Sequence, residues 1–189
     1  MTAPFISRTM CTQHPDNVHQ PFFAQNQILH GDDEIKEAFY SFSHVGSHEQ
    51  LWDCEGKEVD NFVVKKLLTT YEPFFRKNVL GKDKHLTVRV PNPAVEKSEA
   101  KILLEVLESI PRSYDIGRLF YGNDIPPIQE VFVPMVTQAE DVIRIKEYYK
   151  RFVIGKKNQA IHANYISVKE WIGNFAPEDI RVTPLLEDK

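Results

Sequence analysis

Apolar positions fall at helical spacing soon after residue 31. Ile35, Ala38, Phe39 and Phe42 share one face, and acidic residues from Asp32 fill the first turn where they favour a helix start. Asp32 or Asp33 can cap this helix, and Gly46 ends it. A second helix is expected from Glu58 to Tyr71, with Val59, Phe62, Val63, Leu67 and Tyr71 on one stripe. Ahead of both, the first thirty residues are polar and Pro-containing, with "PFF" at 21–23 as their one strong apolar anchor. After residue 80 the period changes. "LTVRV" at 86–90 alternates and is β-branched, and "PNP" stops it. Ala100, Leu103, Leu104, Leu107 and Ile110 then form a helical stripe that Pro111 is expected to close. "EVFVPMV" at 130–136 has the pattern of a buried strand and runs into "TQAE", where Thr137 and Glu140 match a capping box. The helix behind it carries Val142, Ile143, Lys146, Tyr149 and Val153, and "IRVTPLLE" at 180–187 gives a third strand.

Three strands spaced roughly 45 residues apart, with helices between them, predict βα units and a parallel sheet in which consecutive strands are neighbours. The expected fold class is α/β: a partial (β/α) TIM-type barrel with an N-terminal helical segment, cut after an early barrel strand. A small α+β domain with a short edge strand is the alternative. The expected organisation is a polar segment over 1–31, a helical segment over 32–80, and the first βα units over 81–189.

Composition narrows the functional classes. Hydrophobic residues make up 42% and charged residues 26%, enough to build a core, and a net charge of −4 with scattered Lys and Arg argues against nucleic acid as a partner. No apolar run approaches the roughly 18 residues of a membrane span, and "MTAPFISRTM" lacks the basic-then-apolar order of a secretory signal. Cys11 and Cys54 have no metal-type spacing and fit two reduced thiols, so a cytoplasmic setting is expected.

Several polar stretches carry candidate chemistry. In "TQHPDN", Pro15 disfavours the helical region for His14, and Asp16 and Asn17 favour a turn. The imidazole then sits on an elbow suited either to titration near neutral pH or to plain surface exposure. "WDCEGKEVDN" at 52–61 packs Asp53, Glu55, Lys57, Glu58, Asp60 and Asn61 around Gly56. That arrangement suits a small anion or an oriented base, and equally a solvated helix start. Arg89 lies near the end of an apolar strand, where ligands collect in parallel α/β folds, and its fork of donors suits phosphate or carboxylate; an outward-facing Arg on an edge strand is the other option. Glu187 follows the third strand in the same way and is a candidate ligand for a hard cation, or a cap or chain-end acid. His44 and His48 are spaced like a metal pair, but Gly46 between them argues against it. "RLFYGND" at 118–124 is expected to be core and loop.

Taken in order, "RTMCTQHPDN", "LWDCEGKEVDNFVVKKLL", "LTVRVPNP", "EAKILLEVLESIPRSYD", "EVFVPMVTQAEDV" and "TPLLED" resemble the archaeal-type phosphoenolpyruvate carboxylases. The six blocks cover essentially the whole chain and correspond to the first part of that family's chain. The resemblance implies a (β/α) barrel enzyme that uses Mg²⁺ or Mn²⁺ to join bicarbonate to phosphoenolpyruvate, giving oxaloacetate and phosphate, usually as a homotetramer. Bicarbonate attacks the phosphoryl group to give carboxyphosphate and an enolate. Carboxyphosphate releases CO₂ and phosphate, and the enolate attacks the CO₂.

His14 matches the family's catalytic histidine, placed in a "TAHPT" block in the larger plant and bacterial enzymes. Glu187 matches the metal-binding glutamate of a "PLFE" block, with Leu186 in place of Phe. "EGKEVDN" matches the larger enzymes' "GGDRDGN" loop, which makes Lys57 and Asp60 catalytic candidates and Asn61 a substrate-binding one. Arg89 is similar to an arginine that binds the substrate's phosphate. The family's further aspartate ligand, its "GRGGS"-type loop and other phosphate arginines have no counterpart here, so the 189-residue chain alone is expected to be inactive. Two other readings are carried: a different metal-dependent barrel lyase acting on pyruvate-like enolates, and a non-catalytic interaction domain.

Overall fold

The computed structural model describes residues 10–13 (backbone only at 11–13), 20–25, 29, 31–54, 60–162 and 166–186. Five strands form one parallel sheet: β1 (Met10–Gln13), β2 (Glu49–Asp53), β3 (His85–Arg89), β4 (Ile128–Val133) and β5 (Arg181–Pro184). They lie side by side in chain order, β1-β2-β3-β4-β5. The expected α/β class and parallel adjacency hold, with two more strands than the three predicted. β1 and β2 come from segments that the hydrophobic pattern left polar or helical.

The sheet has two unlike faces. Trp52, Leu86, Val88, Val131, Val133 and Ile180 belong to a single apolar core together with the helices. These are α1 (Asp32–Tyr40), α2 (Val63–Thr70), α3 (Glu72–Phe75), α4 (Ala100–Tyr121) and α5 (Ala139–Tyr148), with a short α6 (Val168–Ile172) outside the core. Leu67, Leu68 and Leu107 are fully buried there, each worth about 1.5–3 kcal/mol of transfer free energy. The opposite face is polar: the Thr87 hydroxyl donates to Glu49, Arg89 to Asp53, and the Thr183 hydroxyl to Glu130. A register shift lets β4 serve both faces. Leu86 pairs with Ile128 but Val88 pairs with Val131, so one extra β4 residue is accommodated between them. Ile128, Val131 and Val133 thereby all reach the core despite their mixed parity.

Helix boundaries depart from the sequence pattern in instructive places. α1 widens into a π-turn over Ser41–Val45 before Gly46, which takes the left-handed conformation at φ 83° and closes it as expected. α2 begins at Val63: residues 60–62, expected inside the helix, form a turn before it, and the expected start near Glu58 lies outside the described residues. Pro111 does not close α4, which continues to Tyr121 and ends at Gly122. Pro111 is itself buried, along with Ser113 and Gly117 beyond it. The lost hydrogen bond is therefore outweighed by packing of the later turns. The capping box at Thr137 does not form. α5 starts later, behind an extended Gln138 with no side-chain cap, and the Gln138 amide instead donates to Asp141 at 3.1 Å. A capping box does form on α6, where Ser167 and Glu170 bond each other's backbone N–H. β4 ends at Val133 rather than running to residue 136, because Pro134 cannot extend the ladder.

Candidate active site

All five strands run the same way, so their carboxyl ends share one rim of the sheet. Gln13, Asp53, Arg89, Val133 and Pro184 end the strands in turn. In the chain, His14 follows Gln13, the segment containing Lys57 follows β2, and Glu187 comes three residues after Pro184. His14, Lys57 and Glu187 themselves lie outside the described residues. Ligands in open α/β sheets bind outside the carboxyl ends of strands, so the rim is the place to look for chemistry.

Arg89 is the described candidate on that rim. It closes β3, which has β2 on one side and β4 on the other, so it is not on an edge strand. Its register partners are Asp53 and Phe132. Nη1 donates to Asp53 Oδ2 at 3.0 Å, with the Arg89 side chain 18% exposed and that of Asp53 3%. Two backbone bonds continue the ladder past the strand ends: Cys54 N–H donates to the Arg89 carbonyl, and Val90 N–H to that of Phe132. The guanidinium is thus mounted on rigid backbone. Charge-assisted bonds of this kind are roughly twice as strong as neutral ones.

The loop after β3 is pinned to the loop after β4. Asn92 is fully buried and donates through Nδ2 to the carbonyls of Pro134 (3.0 Å) and Met135 (3.2 Å). Its Oδ1 accepts from the Ala94 amide and its own N–H donates to Glu96. Met135 has φ 51°, a left-handed conformation costing a non-Gly residue roughly 1–2 kcal/mol. Strain of this kind gathers at functional rims, where surrounding bonds hold it. Asn92 lay inside the "PNP" that stopped the strand, and nothing in the one-dimensional pattern marked it as a clamp.

Asp60 and Asn61 have other partners. Asp60 Oδ1 accepts from the Phe62 amide at 2.8 Å and Oδ2 pairs with Lys66 at 2.6 Å. Lys66 also reaches Asp32 at 2.8 Å, and those two hydrogen bonds, Asp32 first, push its pKa up to about 12. The Asn61 carbonyl accepts from Arg112 at 3.1 Å, and Arg112 stacks over Phe62. Both residues tie the start of α2 to its neighbours. Asp53, counted in the sequence as one charge among many in the 52–61 block, pairs with Arg89. His44 bonds the Ser43 hydroxyl at 2.7 Å and packs against Tyr40. Among the described residues there is no group of three or more His, Cys, Asp or Glu that could hold a metal ion.

The amino ends of the strands carry a second polar group. Arg181 pairs with Glu130 at 3.2 Å, and His85 lines the same small gap as Glu49. Burial pulls the His85 pKa below its usual 6.5, opposed by the Glu49 charge.

A rim built around a fixed arginine at the end of a central strand invites comparison with known proteins. The family profile described as phosphoenolpyruvate carboxylase matches residues 6–189. The chain belongs to the phosphoenolpyruvate carboxylase family. It is 60% identical over 183 residues to the phosphoenolpyruvate carboxylase of Methanothermobacter thermautotrophicus. Identity is 57% to that of Pyrococcus furiosus and 55% to that of Methanospirillum hungatei, each over 184 residues. In each case 97% of this chain is covered, against 38% or 39% of the relative, so the chain spans well under half the length of these carboxylases. No helix among the described residues is long and apolar enough to cross a membrane.

Proposed function

We propose that this chain carries the N-terminal share of a phosphoenolpyruvate carboxylase active site, which joins bicarbonate to phosphoenolpyruvate to give oxaloacetate and phosphate in anaplerotic carbon fixation. The observation that carries the reading is the family match over residues 6–189, together with the mounting of Arg89 on the rim of a sequentially ordered parallel sheet. The five strands are the opening strands of a TIM-type barrel, which closes with eight. The finished enzyme is a cytoplasmic homotetramer.

On this reading Arg89 holds the substrate's phosphate through charge-assisted bonds. His14 acts as the base on carboxyphosphate, Lys57 and Asp60 assist the charge changes, and Asn61 contacts substrate. Glu187 is the metal ligand supplied by this chain, and Mg²⁺ or Mn²⁺ would disperse the enolate charge. Among the described residues no group of three or more His, Cys, Asp or Glu forms such a site by itself. Excluding water from the rim protects the enolate and carboxyphosphate from protonation and hydrolysis.

The test is made in the full-length enzyme. His14→Asn is expected to lower oxaloacetate formation by about 10²-fold or more, with phosphoenolpyruvate binding retained in calorimetry. Unchanged turnover removes His14 from its role. Glu187→Gln is expected to raise the Mg²⁺ concentration needed for half-maximal rate; a wild-type metal titration refutes the ligand assignment.

A further inference from the structure

We propose that Asp53 is a positioning residue for substrate phosphate, acting through Arg89; this rests on the functional reading above. An arginine has about four rotatable side-chain bonds and large rotamer freedom, so an unrestrained guanidinium at a strand end binds phosphate only after being ordered. Asp53 removes that cost in advance. It is opposite Arg89 in the parallel register, its Oδ2 accepts from Nη1 at 3.0 Å, and its side chain is 3% exposed. A guanidinium presents five N–H donors in a fixed plane, so anchoring Nη1 narrows the directions open to the whole fork. The backbone supports the same geometry, because Cys54 N–H donates to the Arg89 carbonyl at 3.0 Å. The pair is also set apart from the other carboxylates on this face. Glu49 and Glu130 accept from threonine hydroxyls, Glu49 at the start of β2 and Glu130 in the middle of β4, whereas Asp53 ends its strand on the rim. An ion pair serving stability alone has no need to sit at the rim, where it gives up part of its burial.

The experiment compares wild type, Asp53→Asn, Arg89→Lys and the double variant in the full-length enzyme. It reads KM and kcat for phosphoenolpyruvate, binding of inorganic phosphate by calorimetry, and Tm. Asn keeps an acceptor in place and removes only the charge. Asp53→Asn is expected to raise KM about tenfold with kcat changed far less, and to weaken phosphate binding in parallel. The double variant is expected to be no worse than Arg89→Lys, since the two residues act as one unit. If Asp53→Asn does not fold, Asp53→Glu, which keeps the charge one methylene away, is expected to raise KM at an unchanged Tm. KM and phosphate affinity within about twofold of wild type in a folded variant, or additive losses in the double variant, overturn the proposal. Wild-type enzyme that turns over phosphoenolpyruvate while Asp53→Asn matches it sinks the positioning role alone. Wild-type enzyme that binds phosphate through Asp53 and Arg89 but forms no oxaloacetate sinks the functional reading alone.

Discussion

Single side chains on the polar face divide the sheet into two ends with different demands. At the rim, Arg89 is held by the Asp53 carboxylate at 3.0 Å; at the amino ends, burial favours neutral His85. Its folded pKa lies below 6.5 because burial disfavours the imidazolium, with Arg181 and His48 adding to the effect and Glu49 and the Lys82 carbonyl opposing it. An unfolded chain therefore takes up the proton first as pH falls. The stabilising contribution is complete above 6.5 and is lost as pH drops from there through the lower folded value. Wild-type Tm is expected to decline more steeply than that of His85→Gln as pH falls below 6.5. Parallel Tm curves for the two proteins would show that His85 carries no such linkage.

Among elements, the approach to β4 is the tightest piece of construction. Gly81 has φ 94°, and a Cβ there would fall inside the van der Waals shell of the Pro126 carbonyl oxygen. The Gln129 side-chain amide bonds the Gly81 carbonyl at 2.6 Å, closing the same corner. Gly81→Ala meets both a conformational and a steric penalty, and is expected to cost about 2–3 kcal/mol. That corresponds to a Tm loss of roughly 5–10 °C in a thermal melt. On α6, Ser167→Ala removes the capping box and is expected to release about 1 kcal/mol of local protection, read as faster amide exchange at Glu170. The elements that were legible in the sequence were those with a clear apolar rhythm: α1, α2, α4, α5, β3, β4 and β5. β2 escaped notice because Glu49, Gln50 and Asp53 break its alternation, yet all five of its residues are buried. Its carboxylates are matched by Thr87 and Arg89 from the neighbouring strand, a pairing that exists only after the sheet forms. β1, "MCTQ", offers four residues with no apolar rhythm. The same cause hid the site: Arg89 was visible as an oddity in an apolar strand, while its partner was one acid in a charged run.

The whole molecule presents apolar side chains to solvent on several sides. Leu119 is 87% exposed, Leu186 75% and Trp171 70%. Among the described residues β1 pairs only with β2, and β5 only with β4, so both outer strands offer an unpaired edge. Such edges and patches normally meet a partner. On the proposed function, the 189-residue chain alone is expected to form no oxaloacetate in a coupled assay, and co-expression with the remaining length of a full-size relative is expected to raise its soluble yield. Substantial turnover by the 189-residue chain would mean that the catalytic set is already present within it.

Strand order equal to chain order has a consequence for biosynthesis. Each strand after β1 leaves the ribosome with its preceding partner already made, so the sheet can grow by addition at one side without threading or rearrangement. At synthesis rates of about 5–20 residues per second, residue 187 emerges roughly 10–35 s after residue 14. On the proposed function, the candidate base at position 14 would wait through that interval for the candidate metal ligand at 187, and a nascent chain stalled between β3 and β5 would hold a half-made rim.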